Sequence, residues 1–286
     1  MYKFSSVQKP VSFHSPNQTF EWGTCDRFPI FAGPDIVEDE GMVLEVAQEL
    51  KKITTSLNIP WVFKCSFDKA NRQSVDSFRG PGMEKALNIL ARVKSKVGCD
   101  LLTDVHETIQ VAPVAEVADI IQIPAFLCRQ TDLVVEAAKA GKPLHLKKGQ
   151  FMAPGDMLSI AKKAASVGNE KVLLCDRGTF FGYGRLVNDF LGLVEMRALG
   201  YPVILDCTHS TQLPGATGKS SGGRGDLVGV LAKAGIAAGV DGLFLEVHPD
   251  PKTALCDGPT SVPLAEMEPM LKHLSAIWNT HKEFGL

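Results

Sequence analysis

One recurring unit constrains this chain more than any other: a short apolar run followed by a helix-length segment, eight times in about 250 residues. The runs are PIFAG (29–33), WVFKC (61–65), DLLTDV (100–105), IIQIPA (120–125), PLHLKK (143–148), VLLCDR (172–177), PVILDCT (202–208) and GLFLEVH (242–248). Amphipathic segments lie at 41–57, 83–97, 130–141, 156–167, 186–199, 226–239 and 264–280. Eight βα units predict an α/β fold, a closed (β/α)8 TIM barrel over residues 29–280. An open doubly wound sheet is the alternative, but no GxGxxG follows the first strand to support it. Residues 1–27 precede the first unit and are expected to form a short extension, a small β-hairpin capping the barrel bottom, so that 1–286 is a single domain.

The bulk numbers narrow the partners. A net charge of −2 gives no footing for nucleic acid or an acidic membrane, so any cationic site must be local, as for a small anionic substrate. The seven cysteines (25, 65, 99, 128, 175, 207, 256) contain no CxxC, the usage of a reducing compartment. Cys65, Cys175 and Cys207 read as small core hydrophobes. The start MYKFSSVQKPVSFHSPN shows no signal pattern, and no apolar run approaches the ~18 residues of a membrane span; a cytoplasmic location is expected.

The strand ends say more than the strands. They carry Asp35, Lys64, Asp104 with His106, Lys147 with Lys148, Asp176 with Arg177, Asp206 with His209, and Glu246 with His248. A barrel brings these ends together on the face where such folds place their sites. Lys64, Lys69, Arg72, Arg129, Lys147, Lys148 and Arg177 would make a strongly positive anion site, expected to hold a substrate with several negative charges. Asp35, His209, Glu246 and Asp257 form a second group, suited either to a divalent cation with mostly hard ligands or to ion pairs with the lysines. Two loops look built for ligands, 64–82 and the Gly-rich 211–226. Backbone N–H groups of the second could cradle a phosphate, though a lid or plain connector fits equally, and GKSSGG is not a nucleotide P-loop.

The strings FKCSFDKANR, TDVHE, IQIPAFLCRQTDL, KKGQF, CDRGTFFGY, DCTHSTQLPG, SGGR and EVHPDP followed by CDGP together resemble the 3-deoxy-D-manno-octulosonate 8-phosphate synthase family, in order from about residue 29 to 272. That resemblance implies a homotetrameric (β/α)8 barrel without organic cofactor. It implies an enzyme condensing phosphoenolpyruvate with D-arabinose 5-phosphate and water, yielding the eight-carbon sugar phosphate and phosphate. The sister synthase, which uses erythrose 4-phosphate, typically carries a KPRT-like string where this chain has Lys69-Ala70-Asn71-Arg72, and stands second. A silent barrel that binds a phosphosugar without turnover is a further alternative.

By resemblance, Lys64, Lys69, Lys147 and Arg177 hold phosphoenolpyruvate, while Asn71, Arg72, Gln73, Arg129 and Ser221 bind the sugar phosphate. Arg129 is expected to reach a neighbouring subunit's site, with Phe126 beside it at the interface. Gln73 stands where the family usually has serine. Lys64, Asn71, His209 and Asp257 are the expected catalytic group, with His209 usable for proton transfer near neutral pH. At Asp35 the family has cysteine in metal-dependent members and asparagine in metal-independent ones; this chain has neither. A third carboxylate there repels the other two unless neutralised. The expected cofactor is therefore a divalent metal (Mn²⁺, Mg²⁺, Fe²⁺ or Zn²⁺) on Asp35, His209, Glu246 and Asp257, with a metal-free Asp35–Lys64 ion pair as the other outcome.

Overall fold

The computed structural model describes residues 7–215 and 222–284. The chain opens with β1 (Val11–His14) and β2 (Thr19–Trp22), then alternates β3 (Ile30–Gly33), α1 (Glu40–Ser56), β4 (Trp61–Lys64), α2 (Met83–Val97), β5 (Asp100–Asp104), α3 (Val111–Val117), β6 (Ile120–Ile123), α4 (Thr131–Lys139), β7 (Leu144–Lys147) and α5 (Met157–Ala165). It continues through β8 (Val172–Asp176), β9 (Thr179–Phe180), β10 (Leu186–Val187), α6 (Phe190–Ala198), β11 (Val203–Asp206), β12 (Gln212–Leu213) and β13 (Gly222–Gly223). The last elements are α7 (Val228–Ala237), β14 (Gly242–His248), β15 (Val262–Pro263) and α8 (Met267–Phe284). Strands β3 to β8, β11 and β14 pair in parallel in that order, and β14 returns to β3 to close eight strands into a barrel.

Each expected strand run contains a barrel strand, and GLFLEVH matches β14 residue for residue. Helix α3 escaped the periodicity reading because its seven residues, interrupted by Pro113, are too short to display a 3.6-residue repeat. The two-residue ladders β9–β10 and β12–β13 carry no pattern at all.

Local chemistry fixes the elements. Asp39 caps α1 by accepting from the Met42 N–H at 3.0 Å, and Val43, Val46, Ala47, Leu50 and Ile53 bury a helical stripe against the barrel. Helix α2 ends at Gly98, whose φ of 62° suits glycine. One apolar layer lies between strands and helices, and a second fills the barrel with residues such as Phe31, Val62, Leu102, Leu173 and Phe244.

The N-terminal hairpin plugs the bottom as expected. Val11, Phe13 and Trp22 join the inner layer, and Trp22 stacks on Phe31 with centroids 5.5 Å apart and planes 6° from parallel. Asn17 and Gln18 donate to the Asp100 carboxylate at 3.0 and 2.7 Å where β5 begins, and Gln18 donates to the Trp61 carbonyl at 2.6 Å where β4 begins. Among the described residues no helix is long and apolar enough to cross a membrane. All seven cysteines are free, and Cys65, Cys175 and Cys207 are fully buried, as their strand positions suggest.

Candidate active site

At the opposite end from the hairpin, the strand ends surround a cavity of about 330 Å³, lined among others by Lys64, Lys69, Lys147, Arg177, His209 and Asp257. That is the size range of small-molecule sites. The placement of its deepest groups begins at Gly33. A Cβ there would collide with the Lys64 carbonyl oxygen and the Phe63 ring, so glycine lets β3 pass close to β4. The loops beyond continue the pairing: Ser66 N donates to Asp35 O at 3.2 Å and Val37 N to Ser66 O at 3.0 Å. Asp35 is thereby set beside Lys64.

The result is a buried charge cluster. Lys64 Nζ lies 2.6 Å from Glu246 Oε1, 3.4 Å from Asp35 Oδ1 and 2.9 Å from the Asp35 carbonyl. Lys69 is also ion-paired with Asp35 and lies 3.9 Å from Glu246. Burial opposes charge on Asp35, but Lys69 and Lys64 hold its carboxyl well below the usual carboxylate range. Burial and the negative Asp35 beside it push Glu246 up to about 8, and the same two causes raise Asp257. The Asp35–Lys64 pair anticipated as the metal-free outcome is therefore present.

A second cluster centres on Asp206. Its Oδ2 takes Lys147 Nζ at 2.6 Å and His209 Nδ1 at 2.8 Å, while Oδ1 accepts from the His209 backbone N–H at 2.9 Å. Asp206 is fully buried, yet His209 and Lys147 keep its carboxyl well below the usual range. Hydrogen bonding to that carboxylate places the His209 proton on Nδ1 and leaves the Nε2 lone pair facing Glu246 Oε1 at 3.5 Å and Asp257 Oδ2 at 3.8 Å. The expectation that His209 titrates near neutrality is corrected: burial, with Lys147 nearby, lowers it to about 3, so the ring is neutral there.

Asp257 closes the ring of donors. It sits at φ 46°, a left-handed conformation uncommon for aspartate, and accepts from Gln212 Nε2 at 2.6 Å; the Gln212 carbonyl in turn accepts from Arg177. Asp35, His209, Glu246 and Asp257 each offer one ligand atom, all within 4.8 Å of one another. The lysine pairs use Asp35 Oδ1 and Glu246 Oε1, whereas among the described residues Asp35 Oδ2 and Glu246 Oε2 have no lysine partner. Three hard oxygens and one imidazole nitrogen are a donor set that fits a divalent cation.

The remaining expectations divide. Asn71, Arg72 and Gln73 line the cavity mouth, and Arg72 hydrogen-bonds Cys256 beside Asp257. Lys148 does not belong to the anion site. It follows Lys147 directly and points to the other side, where its buried ammonium meets Asp176 at 3.2 Å and Thr179 at 3.1 Å. Arg129 is exposed and lies outside this cavity's lining, whereas Phe126 belongs to it and is 48% exposed. Ser221 lies outside the described residues. Charge-guided reading missed Gln122, Gln150 and Gln212, which line the cavity with neutral amides; only their positions at or just beyond strand ends signalled them. His106 and Asp104, 3.0 Å apart, line it as well.

Comparison with known proteins bears on all of this. The family model described as "DAHP synthetase I family" matches residues 10–282. The 2-dehydro-3-deoxyphosphooctonate aldolase of Trichlorobacter lovleyi is 53% identical over 248 residues, covering 87% of this chain and 91% of that protein. The protein of the same name from Acidithiobacillus ferrooxidans is 52% identical over 258 residues, 90% of this chain and 92% of its own. That of Geotalea uraniireducens is 52% identical over 248 residues, 87% of this chain and 91% of its own.

Proposed function

Since the chain belongs to the DAHP synthetase I family, we propose from its cavity and its relatives' shared name that it is a 3-deoxy-8-phosphooctulonate synthase. It joins phosphoenolpyruvate to D-arabinose 5-phosphate, with water, to give 3-deoxy-D-manno-octulosonate 8-phosphate and phosphate, a step in lipopolysaccharide sugar synthesis. The observation that carries this reading is the convergence of Lys64, Lys69, Lys147 and Arg177 on one cavity whose mouth holds Asn71 and Arg72. The four deep cations suit a molecule carrying both phosphate and carboxylate, and the mouth suits a second phosphate-bearing substrate.

In the reaction, C3 of phosphoenolpyruvate forms a bond to the sugar aldehyde carbon, and positive charge develops at C2. Water adds at C2, and the resulting phosphohemiketal loses phosphate by C–O cleavage. Lys64, Lys69, Lys147 and Arg177 hold the phosphate and carboxylate so that C3 faces the aldehyde, and their fixed charges stabilise the departing phosphate. His209, neutral and held through Nδ1 by Asp206, turns Nε2 toward Glu246 and Asp257, and Asp257, raised by burial and by Asp35, is the group placed to accept a proton. Asp35, His209, Glu246 and Asp257 would hold a divalent cation, which supplies polarisation of an oxygen ligand when bound.

Two assays test this. Phosphate release from phosphoenolpyruvate is expected to be roughly tenfold or more faster with arabinose 5-phosphate than with erythrose 4-phosphate; the opposite order overturns the substrate assignment. Chelator-treated protein is expected to lose activity and regain it with Mn²⁺. Full activity after chelation ends the cation assignment and leaves the lysine pairs as the only neutralising groups.

Homotetramer formation, with Arg129 gripping the sugar phosphate in a neighbour's cavity beside Phe126, completes the reading. It is supported by the exposure of Arg129 and by the position of Phe126 at the cavity rim. A cytoplasmic location accords with seven free cysteines.

A further inference from the structure

A stack of buried rings links the hairpin to the base of the cavity. Trp22 lies parallel to Phe31; Phe31 meets His145 edge-on at 4.9 Å; His145 stacks on Phe244 at 5.6 Å and 26°. All four side chains are fully buried. At the top, Lys147 Nζ lies 3.8 Å from the Phe244 ring centroid and Lys64 Nζ 5.5 Å from it, both within reach of a cation–π attraction. Phe244 is in register with Phe31 on one side and with Asp206, the carboxylate partner of Lys147, on the other.

This arrangement answers a physical need. Two lysines on flexible stems must present their ammonium groups at fixed heights, and ordering such stems is entropically costly. The carboxylates Asp206 and Glu246 pull each ammonium sideways, while a ring face below limits how far it can sink. His145 suits the supporting position. Among the described residues neither ring nitrogen has a hydrogen-bond partner, and burial lowers the imidazole to about 3, so it serves as a neutral aromatic plate without adding charge beside the lysines.

We propose that Phe244 is a positioning residue for Lys147 and Lys64, the floor on which both ammonium groups rest, and that His145 supports that floor from beneath. The proposal deepens the functional reading, since it rests on the two lysines gripping phosphoenolpyruvate.

Phe244→Leu keeps apolar volume and removes the ring face. The variant is expected to fold like the parent and to show a KM for phosphoenolpyruvate raised roughly tenfold, with the KM for arabinose 5-phosphate within about twofold. Calorimetric titration with phosphoenolpyruvate alone should weaken by the same factor. His145→Ala should move the same constants in the same direction, and His145→Phe should recover most of the loss because it restores a ring. Unchanged phosphoenolpyruvate affinity in Phe244→Leu overturns the proposal, as does a parallel rise of both KM values. If Phe244→Leu does not fold, the His145 pair decides: phenylalanine no better than alanine there overturns it. A parent protein that binds no phosphoenolpyruvate sinks the functional reading itself, a result separate from any contrast between variants.

Discussion

Lys147→Met is expected to lower kcat/KM for phosphoenolpyruvate by about 10²- to 10³-fold, the cost of removing one preorganised charge from a site of this kind. Methionine preserves the apolar stem and deletes only the ammonium. That ammonium lies 2.6 Å from Asp206, rests over Phe244 and lines the cavity. Asp206 keeps hydrogen bonds from His209 Nδ1 at 2.8 Å and from the His209 backbone N–H at 2.9 Å but loses its cation, so the variant is also expected to lose stability, and kcat/KM is compared on protein shown to be folded by circular dichroism. A fall in kcat with little change in KM would show that the charge acts mainly as phosphate leaves; a rise in KM alone would show uniform binding of the substrate. Lys147→Arg should recover little, because the larger guanidinium does not fit the enclosed space of an ammonium held 2.6 Å from Asp206. A methionine variant retaining more than about a tenth of parental kcat/KM removes Lys147 from the machinery.

Lys64→Met is expected to weaken phosphoenolpyruvate binding, as Lys147→Met does, and also to cost a large share of the stability. Lys64 is 1% exposed and pairs with Asp35, which is held ionised, and with the fully buried Glu246, which burial and Asp35 push up to about 8, so the comparison is made at about pH 9, where Glu246 carries its charge. Removing one partner of a buried pair leaves an uncompensated charge and costs about 3–5 kcal/mol, which denaturant unfolding at fixed protein concentration will read. Lys69 lies 3.9 Å from Glu246 and is already paired with Asp35, so it offsets only part of the loss. The decisive control is the double variant Lys64→Met with Glu246→Gln. If the loss comes from stranded charge, neutralising Glu246 restores most of it; if it comes from lost packing, the double variant is no more stable than the single. An equally stable Lys64→Met protein would mean that the cluster is not held by ion pairing.

These residues also show what the sequence could reveal. The barrel was legible because each strand run is separated from the next by segments of opposite periodicity, and only α3 was too short to register. Lys64, Lys69, Lys147 and Arg177 were legible because a charge at a buried strand end has few structural explanations. Lys148 was misassigned because strand alternation decides which of two adjacent lysines faces inward, and sequence does not announce the phase at a strand's last residue. Gln122, Gln150 and Gln212 were invisible to an argument built on charge. The neutral state of His209 depends on burial and on the lysine beside it, both products of folding.

The hairpin and the apolar side chains that fill the barrel above it close the cavity on its bottom side, among the described residues. Lys64 and Lys147 are almost wholly enclosed at its base, whereas Asn71 and Gln73 stand at its rim. A molecule held at the base is then expected to arrive before another settles at the rim, and its residue to leave after the rim has cleared. The plug thus reaches beyond packing into the order of events: with the bottom closed, the molecule at the base is expected to enter first and its residue to leave last, which product-inhibition kinetics will test.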